Sequence, residues 1–211
     1  MTLRDAWDRT VTGPLLERSM RGVVPLRAEL LMSAHGRTIE IGFGTGANLL
    51  FYPSAVTELV VVEPSLGLIE RARDRLRAWG RPHTVLTHSA TNTLPLDAHS
   101  FDTVVMTFVL CSVPDVQAVL AEAARLLKPK APLLLAEHVA AQRLPWRWMQ
   151  RAARPFSRAV AGCDPTRETA SIMSALGWDT HGLHSQKLDL LPPVHTGLVG
   201  VAYPPNASHH V

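Results

Sequence analysis

Five short runs of mainly branched and aromatic residues recur along this chain: Thr38 to Ile41, Leu59 to Glu63, Thr84 to His88, Phe101 to Phe108 and Ala131 to His138. Each is too short for a free-standing helix and too continuously apolar for a strand with one wet face, so each belongs in a sheet covered on both sides. Between them, Ala47 to Tyr52, Leu66 to Trp79 and Val116 to Leu127 carry apolar residues at helical spacing. Lys128-Pro129 then supplies a cationic end followed by a breaker. Strand and helix in alternation make the βαβ repeat, which predicts an α/β fold with five parallel strands and crossover helices.

The pattern changes after His138. Pro145 to Val160 reads as one or two helices, Thr166 to Leu176 as another, and Trp178 onward as terminal strands. Runs near Thr180 to Gln186 and Thr196 to Tyr203, joined by a loop containing Pro192-Pro193, suit an antiparallel edge. The expected organisation is one domain over 1–211. It divides into a helical cover (2–36), a cofactor-binding core (37–140), lid helices on the acceptor side (141–176) and edge strands (177–211).

Composition narrows the classes further. Apolar residues are 46% and charged residues 18% of the chain, spread evenly, which supports one core and no long disordered tract. A net charge of +3 without a Lys/Arg block argues against nucleic acid. Two cysteines, Cys111 and Cys163, make no disulfide framework and lack metal-ligand spacing, so no metal and a reducing compartment are expected. Met1 to Arg21 mixes charges with apolar residues, and no stretch reaches the ~20 apolar residues of a membrane span. The expected location is cytoplasmic.

Glu40-Ile41-Gly42-Phe43-Gly44-Thr45-Gly46 leaves the first strand, and its glycines permit tight turning and close backbone approach to a ligand. Gly42, Gly44 and Ala47 also satisfy the Gly-x-Gly-x-x-Gly/Ala pattern of dinucleotide enzymes, so the loop alone is ambiguous. Glu63, ending the second strand, can accept both hydroxyls of a ribose, which suits either cofactor type. Glu40 tilts the balance: a carboxylate there repels a pyrophosphate but can brace the loop or attract an ammonium group. Ser89, Ala90 and Thr91 follow the third strand, where backbone N–H groups or hydroxyls can read an adenine edge.

From Glu40 to Tyr52 and from Ser100 to Asp115 the chain resembles class I methyltransferases, and more narrowly the group that includes animal alkyl thiol methyltransferases. The segments Gly44-Thr45-Gly46-Ala47-Asn48, Phe51-Tyr52-Pro53, Val109-Leu110-Cys111-Ser112-Val113, Glu137-His138-Val139, Gly162-Cys163 and Thr166-Arg167-Glu168-Thr169 follow that group's order. The likeness spans residues 37 to 200. It implies a Rossmann-like, mostly parallel seven-stranded sheet with helices on both faces and an antiparallel C-terminal edge. It also implies S-adenosyl-L-methionine as cofactor, S-adenosyl-L-homocysteine as product, and a cofactor set of Glu40, Gly42, Gly44, Thr45, Gly46, Asn48, Glu63, Pro64, Ser65, Ser89, Ala90, Thr91 and Thr107. Two departures stand out: the apolar N-terminal anchor of the animal members is not found in residues 1–36, and Lys130-Ala131 replaces the usual glycine pair before the fifth strand.

Methyl transfer from a sulfonium is an in-line displacement with a neutral thioether leaving group, so alignment and removal of water matter most. A small thiol is the acceptor expected, with a quinone or a phospholipid amine as the alternative and a non-catalytic cofactor-binding module as a third reading. A thiol acceptor reacts as its thiolate, which a nearby base favours. His138, at the carboxyl end of the fifth strand, and His195, before the last, are the candidates for that base. Cys111 reads as packing, and Cys163 as part of the acceptor pocket wall. Arg143, Arg147, Arg151, Arg154 and Arg158 fall within an arc of about 80° on a helix, opposite Trp148, Met149, Ala152 and Phe156. The apolar side is expected to be core or lid, and the cationic arc to be solvated or to touch anionic lipid headgroups. Arg71, Arg73, Arg75 and Arg77 alternate around a helix and suggest solubility only. No obligate protein partner is expected.

Overall fold

All five apolar runs become strands in the computed structural model, which describes residues 2–192 and 194–205. They are β1 (Gly36–Ile41), β2 (Val56–Val62), β3 (His83–Leu86), β4 (Thr103–Thr107) and β5 (Leu133–His138), followed by β6 (Leu183–Lys187) and β7 (Thr196–Ala202). The sheet order is β3-β2-β1-β4-β5-β7-β6. The first five strands run parallel, and β7 pairs antiparallel with both β5 and β6. The fold class and the antiparallel edge are therefore as expected. Pro193 of the expected β6–β7 loop and residues 206–211 of the expected edge segment lie outside the described residues.

Because successive strand residues point to opposite faces, the continuous runs feed two cores. On one face Ile39, Ile41, Val60, Val62, Val104, Met106, Leu133 and Leu135 pack with Val119, Leu120 and Ala123 of α5 (Val116–Leu126). On the other, Leu59, Val61, Val105, Leu134 and Ala136 meet Ala72 and Leu76 of α4 (Leu66–Trp79) and Leu30 and Leu31 of α3 (Val24–Leu31). Local signals set the helix ends. The Ser65 hydroxyl accepts from Leu68 N at the start of α4, and Gly80, at φ 63°, ends it. The Asp115 carboxylate accepts from Ala118 N at the start of α5.

Several expected elements differ. The helix expected over Ala47 to Tyr52 is only a 3-10 turn, Leu49–Phe51. Turn backbone occupies the chain up to Asn48, and Pro53 drives Tyr52 into extended backbone (ψ 125°), which leaves room for one turn. Of the one or two helices expected over Pro145 to Val160, one forms, as allowed: α6 (Leu144–Ala161), which continues through Pro155 despite the loss of that residue's N–H. It is followed by α7 (Thr169–Ala175). Lys130 stands at φ 64°, in the left-handed region that a glycine adopts without strain.

The N-terminal cover is helical: α1 (Leu3–Trp7), a π turn (Asp8–Thr12), α2 (Gly13–Ser19), a 3-10 turn (Arg21–Val23) and α3. It lies directly on α4, since a Cβ on Gly67 would sit 1.9 Å from the Asp5 carbonyl oxygen. Arg71 and Arg75 are more than solubilising: both pair with Glu17 of α2, and Arg75 also donates to the Thr45 carbonyl at 2.6 Å. A helix that packs beneath the cover turns two of its arginines toward that cover, which spacing alone does not reveal.

Candidate active site

The sheet order places β2 on one side of β1 and β4 on the other, so the carboxyl ends of β1 and β4 open a crevice where crossovers diverge. The glycine loop leaves β1 at that point. Gly42 is at φ 76°, and a Cβ there would lie 2.2 Å from Val109 Cγ2, so the position admits only glycine. Gly44, at φ 59°, has nothing within 4 Å of its would-be Cβ, so its backbone faces open space. Gly46 is packed against Phe43, and Thr45 is buried.

Glu63 ends β2 beside this loop. Its Oε2 accepts from Gly44 N and its Oε1 from Ser65 N, each at 2.9 Å, leaving a second lone pair on each oxygen. Burial pushes its pKa up, and the two N–H groups oppose the shift. Pro64 is exposed, and Ser65 Oγ donates to Asp8 in the cover. Ser89 and Thr91 share a hydrogen bond at 2.7 Å, with Ala90 buried between them.

Glu40 braces the loop, one of the two roles expected of it. Its Oε1 accepts from Asn48 Nδ2 at 2.9 Å and its Oε2 from the Tyr52 hydroxyl at 2.7 Å. Arg27, from α3, donates to Asn48 Oδ1 at 2.6 Å and to Thr107 Oγ1 at 2.8 Å, and Thr107 also accepts from Asn48. The expected cofactor residues Asn48 and Thr107 thus meet in one buried network with Glu40. Arg27 was not singled out in the sequence, because one arginine in a short helical cover carries no spacing signal. Burial raises the Glu40 pKa from the ordinary 4.5 to about 7, opposed by Tyr52 and Arg27, and burial lowers that of Arg27.

On the far side of the crevice, Glu137 serves as a backbone brace. Its Oε1 accepts from Val109 N and Leu110 N at 2.7 and 2.6 Å, and its Oε2 from Cys111 N at 3.2 Å. Arg167 holds the same loop through the Leu110 and Val113 carbonyls. Burial raises Glu137 to about 7 as well, against those N–H groups. Phe108, just before the loop, stands at φ 60°, a left-handed conformation rare for an aromatic residue and found where surroundings enforce it.

His138 follows Glu137 and is buried. Its ring lies 4.8 Å from that of Phe108, and its Nδ1 is 3.5 Å from Cys163 Sγ and 3.8 Å from Cys111 Sγ. Its Nε2 is buried without a partner. Hydrogen bonding from Cys111, and then from His138, lowers Cys163 to about 5, while Cys111 is pushed up by its bond to Cys163 and by burial. Spacing in the chain concealed this cluster because three separate segments supply it. His195 is buried too, packed edge-on against Trp146 of α6 at 4.5 Å, with Nδ1 unpartnered.

Helix α6 narrows one expectation. Its inward side is Trp146, Gln150, Ala153 and Ser157, with Gln150 bonded to the Ala141 N–H and the Val139 carbonyl. Of the two placements expected for the apolar side, core and lid, core does not hold: Trp148 is exposed by 66% and Phe156 by 72%, with Leu144 exposed beside them. Periodicity reports that a helix has two faces, not which of them the protein covers.

The profile of a methyltransferase domain matches residues 39–135. Over 168 residues the chain is 32% identical to the thiol S-methyltransferase TMT1B of Homo sapiens, covering 74% of this chain and 68% of that protein. It is 36% identical to TMT1B of Rattus norvegicus over 139 residues, 62% of this chain and 55% of that one, so it spans about half the length of the rat protein. Among solved structures, an O-methyltransferase family protein from Burkholderia thailandensis superposes with a TM-score of 0.72 at 15% identity, over 97% of this chain and 63% of that one. The chain belongs to the class I S-adenosylmethionine-dependent methyltransferases, and S-adenosylmethionine is its cofactor. The residues fit it: Gly44 offers open backbone, and Glu63 keeps a free lone pair on each oxygen for a pair of ribose hydroxyls.

A raised carboxyl pKa in the folded state means that folding holds a proton the unfolded chain has released. The contribution of Glu40 to stability is therefore present below pH 4.5 and is lost as pH rises to about 7. Glu40→Gln is expected to remove a loss of order 3 kcal/mol across that window. Denaturant unfolding at pH 5 and pH 8 checks this, and an unchanged pH dependence in the variant contradicts it.

Proposed function

We propose that this methyltransferase acts on a small molecule, a fairly apolar thiol, converting RSH to RSCH3 with release of one proton. The observation that carries this reading is the likeness, over 168 residues, to a protein named a thiol S-methyltransferase. The cofactor supplies an electrophilic methyl group on sulfur. Glu63, supported by Gly44, Pro64 and Ser65, holds the ribose. Glu40, Asn48 and Thr107 set the glycine loop beneath the methionine end, and Ser89, Ala90 and Thr91 border the adenine. His138 Nε2, a buried polar atom with no protein partner, is the group that meets the acceptor sulfur, and an unmet nitrogen of this kind costs stability until a ligand satisfies it. His195 and Trp146 wall the acceptor side.

Calorimetry of Glu63→Ala is expected to show cofactor affinity reduced about a hundredfold, from loss of two bonds to a charged acceptor. Unchanged affinity removes Glu63 from the site. The acceptor is tested with labelled S-adenosylmethionine and a panel of thiols, quinones and phospholipids, the products being identified by mass. Methyl thioether is expected; label only in a quinone or lipid refutes the thiol reading.

A second reading concerns where the acceptor is met. No helix among the described residues is long and apolar enough to cross a membrane. The exposed Leu144, Trp148 and Phe156 nevertheless lie beside the arc of Arg143, Arg151 and Arg158 on α6, the arrangement of a helix that rests in a headgroup layer. Peripheral contact with anionic membrane suits an apolar acceptor. The protein should cosediment with vesicles containing phosphatidylserine at low salt and release at high salt, and Trp148→Ser with Phe156→Ser should abolish binding. Absence of cosedimentation at low salt refutes it.

A further inference from the structure

Methyl transfer to a small acceptor requires no enzyme thiol, yet the chain brings both of its cysteines to one histidine beside the crevice. Sγ of Cys111, Sγ of Cys163 and a ring nitrogen of His138 lie within 4.8 Å of one another, and all three residues are buried. The His138 Nδ1 separations are 3.5 and 3.8 Å. A tetrahedral zinc centre with Zn–S about 2.3 Å and Zn–N about 2.0 Å has N···S edges of about 3.5 Å. The two N···S edges therefore match such a centre, and the two sulfurs lie within 4.8 Å of each other.

Groups outside the cluster hold each corner. The Cys111 backbone N–H is bound by Glu137, and its carbonyl accepts from Asp164 N at 2.8 Å, so the chains carrying the two sulfurs are tied together. His138 is fixed by the β5–β7 ladder, where it pairs with Gly197. Cys163 follows the left-handed Gly162 that ends α6, and Asp164 is clamped by Arg154. Preorganised ligand geometry of this kind is what a metal site needs from its scaffold.

We propose that Cys111, His138 and Cys163 form a binding site for a soft divalent cation of the zinc type, with the fourth corner open to an exogenous ligand. The ion binds both sulfurs as thiolates, a proton still held on either sulfur passing to solvent, and the two negative sulfurs balance the charge of the ion. The buried centre is then neutral, which removes the main cost of burying a divalent cation. Metal on Nδ1 places the remaining imidazole proton on Nε2, so that His138 presents a donor to the acceptor sulfur. Two thiolates with one imidazole select zinc or cobalt over magnesium and calcium, which prefer oxygen.

The full chain, stripped with a chelator under reducing conditions, would be titrated with Zn2+ against a chromophoric competitor and, separately, with Co2+. One equivalent is expected to bind, and the Co2+ form should show intense near-ultraviolet thiolate-to-cobalt absorption. Cys111→Ser and Cys163→Ser should each weaken Zn2+ at least a hundredfold while retaining S-adenosylmethionine binding, which shows that they are folded. The wild-type Co2+ spectrum serves even if a variant fails to fold. Substoichiometric binding, a cobalt spectrum without thiolate bands, or affinity unchanged in folded serine variants overturns the site. So does recovery of both cysteines as a disulfide from protein kept under reducing conditions.

Discussion

The buried carboxylate of Glu40 is the point on which the crevice depends. It sits in the middle of β1 pairing, with β2 and β4 on either side, where no water can solvate it. It must therefore find its partners in the protein, and those partners come from three places: Asn48 after the glycine loop, Tyr52 beyond the 3-10 turn, and Arg27 in the cover through Asn48. One obligation to satisfy a charge thus fixes the loop, the turn that follows it and the helix above both. Glu137 repeats the device across the crevice, where a buried carboxylate gathers three successive N–H groups of the loop after β4.

Together these two carboxylates tie the loops on both sides of the crevice to the sheet without any ligand contact. Gly42 is locked against Val109, so the two braced loops also touch each other. The strained Phe108 has the Arg27 guanidinium 5.1 Å and the His138 ring 4.8 Å from its ring centroid. Geometry prepared in advance is what an in-line displacement asks of a protein, since the chemistry itself supplies a good electrophile and a neutral leaving group.

Features that depend on neighbours in sequence were legible. The span of α4 follows from its apolar spacing, with Ser65 and Gly80 at its ends, and the strands follow from runs with no polar face. Gly42, Gly44 and Glu63 were placed at one crevice by the strand–loop–strand pattern alone. What escaped depends on distant chain. Arg27 gains its meaning only from Asn48 and Thr107, and the Cys111, His138 and Cys163 cluster only from three strand and helix ends meeting. The short turn at Leu49–Phe51 escaped because apolar spacing does not register how few residues remain before Pro53. For α6 the two faces were evident, yet the arginine arc and the apolar side are both exposed and a third side is turned inward, because the buried Gln150 answers to the Ala141 and Val139 backbone rather than to hydrophobicity.

The position of β7 bears on how the molecule assembles. It enters the sheet between β5 and β6, antiparallel to both, so its pairing with β6 is a local hairpin while its pairing with β5 joins residues far apart in the chain, Leu133 to Ala202. Loop closure over that distance is entropically costly, and a preformed hairpin spreads the cost over two strands at once. The strand it docks against ends in Glu137 and His138. The His138 end of the crevice is therefore completed only by the last part of the chain, whereas the contacts that hold the glycine loop and Glu63 come from residues no later than Val109.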